Sequence, residues 1–93
     1  MKYGILMHKA DDDVGVAVMD LAAGSEISAA TLEGQSVGSI IVTQDIPLGH
    51  KVAMRDMAPE VQVIEYGQAI GRATQAIARG EHVHVHNIRT MRW

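Results

Sequence analysis

With 93 residues, 47% of them hydrophobic, the chain has enough apolar material to close one small core and little left over for a deep pocket of its own. A net charge of −3 gives no electrostatic case for nucleic acid or an anionic membrane surface, and Tyr3, Tyr66 and Trp93 as the only aromatics besides histidine offer no base-stacking platform. The absence of cysteine excludes disulfides, thiolate nucleophiles and Cys-ligated zinc or iron–sulfur centres, so any metal here must use His, Asp, Glu, Asn or backbone oxygen.

In chain order, "MKYGILMHK" opens with an apolar run too short for a secretory h-region or a membrane span, and reads as the start of a cytoplasmic chain. "GILMHK" and "VGVAVM" read as short strands separated by "DDD" at Asp11 to Asp13. That acidic run lacks the following ligands and the glycine of an EF-hand loop, and reads as a charged turn. "SAATLEGQS" reads as a hairpin tip or an exposed excursion. "GSIIVTQ", "KVAMRD", "VQVIEY" and "HVHVH" continue the series of Val- and Ile-rich runs between Gly, Pro or Asp punctuation, an all-β signal. In "GQAIGRATQAIARG", alanines and apolar residues fall at helical spacing with Gly80 placed as a C-cap, while Gly71 and the β-branched residues oppose a helix. Periodicity leaves helix and irregular β both open there.

Four stretches echo one another: "DLAAGSEI" from Asp20, "DIPLGHKV" from Asp45, "DMAPEVQV" from Asp56 and "AIARGEHV" from Ala76. Three carry Gly at the fifth position (Gly24, Gly49, Gly80), and all end on a β-branched residue. The pattern predicts a turn whose glycine supplies a positive φ, followed by entry into a strand. Spacings of 25, 11 and 20 residues are too uneven for a solenoid. No linker, charge block or low-complexity tract divides residues 1–93, which predicts a single, mainly β domain.

Three of the five histidines stand at alternate positions in "GEHVHVHN". On a strand, Val83 and Val85 would enter a core while His82, His84 and His86 share the other face, either as a site or as a solvated face. Successive imidazoles on such a face are spaced by ~6.6 to 6.8 Å, so the outer two, ~13 Å apart, cannot meet on one ion. A metal site would use one adjacent pair plus residues from elsewhere, among which His8, His50 and Asp11 to Asp13 are the candidates. Histidine titrates near neutrality and serves as metal ligand or proton carrier. In "IPLGHKVAMRD", a turn at Pro47 and Gly49 would display His50 as a general acid or base beside Lys51, a cation able to hold a carboxylate. "YGQAIG" lacks the Lys-Ser/Thr of a P-loop and the three-glycine spacing of a dinucleotide fingerprint, which argues against nucleotide binding.

Taken together, "VGVAVMDLAAGSEI", "DIPLGHKVAMRDM", "VIEYGQAIGRATQAIARGEHVHVHN" and the closing "RTMRW" resemble the small, N-terminal-type module of the altronate/galactarate dehydratase family, least closely over residues 28 to 40. The resemblance implies an SAF-type (β-clip) fold of short strands and irregular turns, with "GQAIGRATQAI" as irregular β instead of helix. It implies a divalent metal, iron or manganese, and dehydration of a sugar acid such as altronate or galactarate. It also implies a separate large catalytic subunit, since fused members continue where this chain stops at Trp93, and an isolated chain that is inactive; exposed strand edges and an apolar docking face would leave that chain free to self-associate. A related reading is the small subunit of sulfolactate sulfo-lyase, with sulfite as the leaving group; a different class of reading is a non-catalytic docking module. Carried over by motif, His50, His84 and His86 become the catalytic candidates, Lys51 and Asn87 the substrate-binding candidates, and His82, His84 and His86 the metal ligands. His8 matches a family histidine that precedes acidic residues.

Overall fold

The computed structural model describes residues 3–90. Every regular element among them is a strand: β1 (Ile5–Met7), β2 (Val14–Ala17), β3 (Glu26–Thr31), β4 (Ser36–Ile41), β5 (Lys51–Ala53), β6 (Gln62–Glu65), β7 (Gln68–Ala73), β8 (His82–Val83) and β9 (Ile88–Thr90). The six-stranded sheet runs in the order β4-β3-β1-β2-β5-β8, and β6-β7-β9 form a second, three-stranded sheet. Pairing is antiparallel except between β1 and β3. The mainly β expectation holds. The segment left open between helix and strand is β7, joined to β6 by a two-residue turn in which Tyr66 and Gly67 have φ of 57° and 73°. Gly71 then lets β9 close on β7, since a Cβ there would lie 2.6 Å from the Arg89 carbonyl oxygen.

The four echoing stretches share one geometry. Each places its second residue in an isolated bridge, Leu21 with Ile46 and Met57 with Ile77. Each turns at its fourth and fifth residues, and the fifth has positive φ: Gly24 87°, Gly49 87°, Glu60 73° and Gly80 93°. The stretches therefore form two pairs, and within each the contacts are reciprocal. Gly24 N–H donates to the Val42 carbonyl and Gly49 N–H to the Ala17 carbonyl; Glu60 donates likewise to Ala73, and Gly80 to Ala53. In the first pair each leading aspartate caps the other's turn, Asp45 accepting from Ala23 N–H and Asp20 from Leu48 N–H, both at 2.9 Å. In the second pair Asp56 accepts from Arg79 N–H at 2.8 Å. The reverse cap is missing from both ends at once, because Ala76 has no carboxylate and Pro59 has no N–H.

Each turn pair sits on its own apolar cluster. Ile5, Ala17, Leu21, Ala29, Ile40, Val42, Ile46 and Val52 form one, and Val14, Ala53, Met57, Val63, Ala73, Ile77 and Val83 the other. Val52 and Ala53 are consecutive on β5, so that strand contributes to both clusters.

Three sequence expectations need amendment. "SAATLEGQS" is a hairpin whose tip spans only residues 32–35; its first four residues belong to β3, with Ala29, Ala30 and Thr31 buried. The "DDD" segment is more than a charged turn. Asp12 is fully buried, and its Oδ2 accepts from Tyr66 N–H at 2.8 Å; Asp13 accepts from Ile64 N–H at 2.8 Å and pairs with Arg55. These carboxylates tie the β6–β7 hairpin to the larger sheet. Finally, "HVHVH" is a strand only over His82–Val83. Its last residues turn, and the closing Met91, Arg92 and Trp93 of "RTMRW" lie outside the described residues.

Candidate histidine centre

The turn after β8 decides what the histidines can do. Asn87 is 1% exposed and uses both ends of its amide: Oδ1 accepts from His84 N–H at 2.9 Å, and Nδ2 donates to the His82 carbonyl at 2.8 Å. Asn87 and Ile88 N–H both donate to the His84 carbonyl at 3.0 Å. The side chain thus substitutes for strand partners that the chain no longer has, and holds residues 84–87 as a turn. Val85, expected in the core, is 78% exposed as a result.

His50 arrives from the first turn pair. Its N–H donates to the Pro47 carbonyl at 3.0 Å, closing the turn at Leu48 and Gly49. The pairing of Lys51 with Val83 and Val52 with His82, extended by one residue, sets His50 across from His84. The His50 and His84 rings stack at a centroid distance of 4.7 Å, and His50 Nδ1 lies 2.9 Å from His82 Nε2. His82 is fixed by its own N–H, which donates to Gln44 Oε1 at 2.9 Å.

His50, His82 and His84 each present a ring nitrogen within 4.8 Å of the others. This is the pair-plus-one arrangement that strand geometry requires, with His50 supplying the third imidazole. The expected set His82, His84 and His86 is not the one brought together; His86 reaches only the His82 ring, at 5.4 Å. His8 is elsewhere, against Tyr66 with ring centroids 4.6 Å apart. Asp11 to Asp13 form no part of the cluster. Burial, and then the neighbouring His50, His86 and His84, hold the His82 imidazole below the ordinary histidine value. A neutral ring keeps a lone pair for an ion or a proton.

The donor set suits a divalent transition metal. Two nitrogens each ~2.1 Å from one ion and at right angles lie about 3 Å apart, the His50–His82 separation, and imidazole is a ligand common to iron, zinc, copper and nickel. Without an ion, the same contact is a hydrogen bond in which one ring donates and the other, neutral, accepts.

Beside the histidines opens a cleft of about 390 Å³, lined among others by His50, Lys51, Glu65, Ile70, His84 and Thr90. Lys51 Nζ lies 3.6 Å from Glu65 Oε1, the lysine 34% and the glutamate 13% exposed. Sequence reasoning found Lys51 but missed Glu65, which comes from the other sheet, and it missed the part Asn87 plays in shaping the turn. A terminal Asn after alternating histidines was the available signal for the latter. The arrangement joins imidazoles, a cation and a partly buried carboxylate around a space for a small polar molecule.

The sequence pattern of the altronate/galactarate dehydratase SAF domain matches residues 2–91. Along its whole length the chain is 43% identical to (2R)-sulfolactate sulfo-lyase subunit alpha of Chromohalobacter salexigens, all of which is covered. It is 47% identical over 79 residues to altronate dehydratase of Escherichia coli and 39% identical over 90 residues to altronate dehydratase of Bacillus subtilis. Those matches take in 85% and 97% of this chain but only 15% and 17% of the two dehydratases. An end-to-end match to a lyase subunit, and to a small part of two larger dehydratases, agrees with an all-strand fold that presents a histidine cluster beside an open cleft. The chain belongs to the altronate/galactarate dehydratase SAF-domain family.

Proposed function

We propose that this chain is the small subunit of a two-part, metal-dependent hydro-lyase that dehydrates a sugar acid of the altronate or galactarate type, with the histidine cluster and its cleft facing a larger catalytic subunit. The observation that carries the reading is the convergence of His50, His82 and His84 next to Lys51 in a cleft too open to enclose a substrate unaided. Dehydration removes the proton α to the carboxylate and expels the β-hydroxyl as water. The resulting enol then becomes a 2-keto acid.

In this assignment His50, His82 and His84 would hold the ion. Bound there, iron or manganese would supply Lewis acidity to substrate oxygen. Lys51, tethered by Glu65, binds the substrate carboxylate. His86, outside the cluster, is assigned the proton transfer. Asn87 is assigned to positioning the turn in place of touching substrate, because its amide is engaged at both ends.

A second reading, favoured by the end-to-end match to a sulfo-lyase subunit, keeps the proton abstraction and makes sulfite the departing group from the next carbon. Product analysis separates the two. The tagged chain, co-purified from its native host, is assayed with a panel of sugar acids and sulfolactate. Metal-dependent elimination is expected from the complex and not from the isolated chain. Full activity of the larger subunit alone would reduce this chain to a docking module, and turnover by the chain alone would overturn the two-part scheme.

A further inference from the structure

We propose that the rim formed by Leu48 and Val85, the tips of the two turns that carry the histidine cluster, is the surface on which the larger lyase subunit seats; the inference rests on the lyase reading above. Both side chains are open to solvent, Leu48 at 61% and Val85 at 78%, the latter the highest among the exposed large hydrophobics of the described residues. Their exposure is built in. Leu48 N–H is held by Asp20 Oδ1 at 2.9 Å, and Val85 is turned outward by the buried Asn87 that fixes residues 84–87. Exposed apolar side chains on short hydrogen-bonded turns next to a polar centre resemble the anchors of a protein interface around a site that must lose its water.

The partner is argued from where β9 lies. Ile88 and Thr90 of this last described strand line the cleft beside His50 and His84. In the altronate dehydratases, the region matched by this chain is a small N-terminal module, and a body several times larger follows it. In those proteins the chain that continues past the strand matched to β9 leaves from the rim of this cleft, so the body begins beside the cluster. When the body is a separate subunit, the same rim is its footing. Leu32, 58% exposed, provides the contrast: it lies at the tip of the β3–β4 hairpin, and β4 is at the opposite edge of the large sheet from β8.

Photo-crosslinking in the native host tests this, with p-benzoylphenylalanine placed at position 48, 85 or 32 of the full chain and the products identified by mass spectrometry. Positions 48 and 85 are expected to capture a polypeptide related to the body of the dehydratases, at a yield at least tenfold above position 32. Val85→Asp is expected to lower recovery of that polypeptide at least tenfold without changing the divalent-metal binding of the free chain. Capture of the lyase body at position 32, with none at 48 or 85, would overturn the docking face and leave the lyase reading standing. Capture at position 85 of a second copy of this chain, or of a protein unrelated to the dehydratase body, would overturn the assigned occupant, and the unrelated protein would overturn the lyase reading with it. No crosslink at positions 48 and 85 would refute the rim as an interface.

Discussion

The two turn pairs share one backbone design and differ in how it is secured. In the first, Asp20 and Asp45 cap each other's turns and both positive-φ positions are glycine. In the second, one cap is missing at Ala76 and Pro59, and Glu60 takes a φ of 73° that an L-residue adopts only at a cost. The clustered histidines are divided between them, with His50 standing in the first pair just before β5 and His82 opening β8 from the second. Because β5 pairs with β8, a repeated structural unit becomes a histidine centre at one contact only. The less fully capped pair is followed by three of the histidines, and Asn87 supplies the local hydrogen bonds that the turn pairs do not.

The largest consequence of this division concerns the centre itself. His50→Ala, His82→Ala or His84→Ala should each lower elimination by the complex at least about a hundredfold, the upper end of what loss of an outer-shell metal partner costs, with little effect on the unfolding midpoint of the free chain. His86→Ala should lower activity without removing the metal. Equal losses from all four changes would erase the distinction between His86 and the cluster.

Asn87→Ala should act on both structure and chemistry. It leaves the His84 N–H and the His82 carbonyl without their partner and should destabilise the chain by about 2 to 3 kcal/mol in urea unfolding. Activity should fall about tenfold through displacement of the two imidazoles. Unchanged stability would mean that the turn is held by other contacts.

The caps sharpen the comparison of the pairs. Asp20→Ala, Asp45→Ala and Asp56→Ala should each cost about 1 kcal/mol, whereas Ala76→Asp should be silent within about 0.5 kcal/mol, since the position it faces is Pro59 and has no N–H to donate. A stabilising Ala76→Asp would show that the pseudo-symmetry does not govern capping.

The smallest effect is that of pH on the metal-free chain. The His82 ring is held below its ordinary value in the folded state, so as pH falls below about 6.5 the unfolded chain takes up that proton first and stability declines. His82→Gln should make the stability profile flatter between pH 7 and 5; an unchanged slope would place the dependence on other groups.

Much of this was legible in the sequence. The glycine-bearing echoes predicted positive-φ turns entering strands, and the limit on how far imbalanced strand histidines can converge pointed to one pair with a third group from elsewhere. Glu60 shows why the echo was only partly visible, since it takes the glycine conformation without being glycine. The reciprocal caps join residues 20 or more positions apart and leave no local pattern. "HVHVHN" read as a continuous strand because valine favours β structure and no Gly or Pro interrupts it. The interruption comes from the amide of Asn87, whose effect depends on the side chain being buried. Glu65 could not be placed near Lys51 without knowing how the two sheets pack.

Titration of the metal-free chain with ferrous or manganous ion by calorimetry, under anaerobic conditions for iron, tests the histidine centre most directly. One equivalent should bind to the wild-type chain and to His86→Ala, and binding should be lost in His50→Ala, His82→Ala and His84→Ala. Binding that survives loss of all three cluster histidines, or that depends on His86 and not on His50, would contradict the centre assigned to this fold.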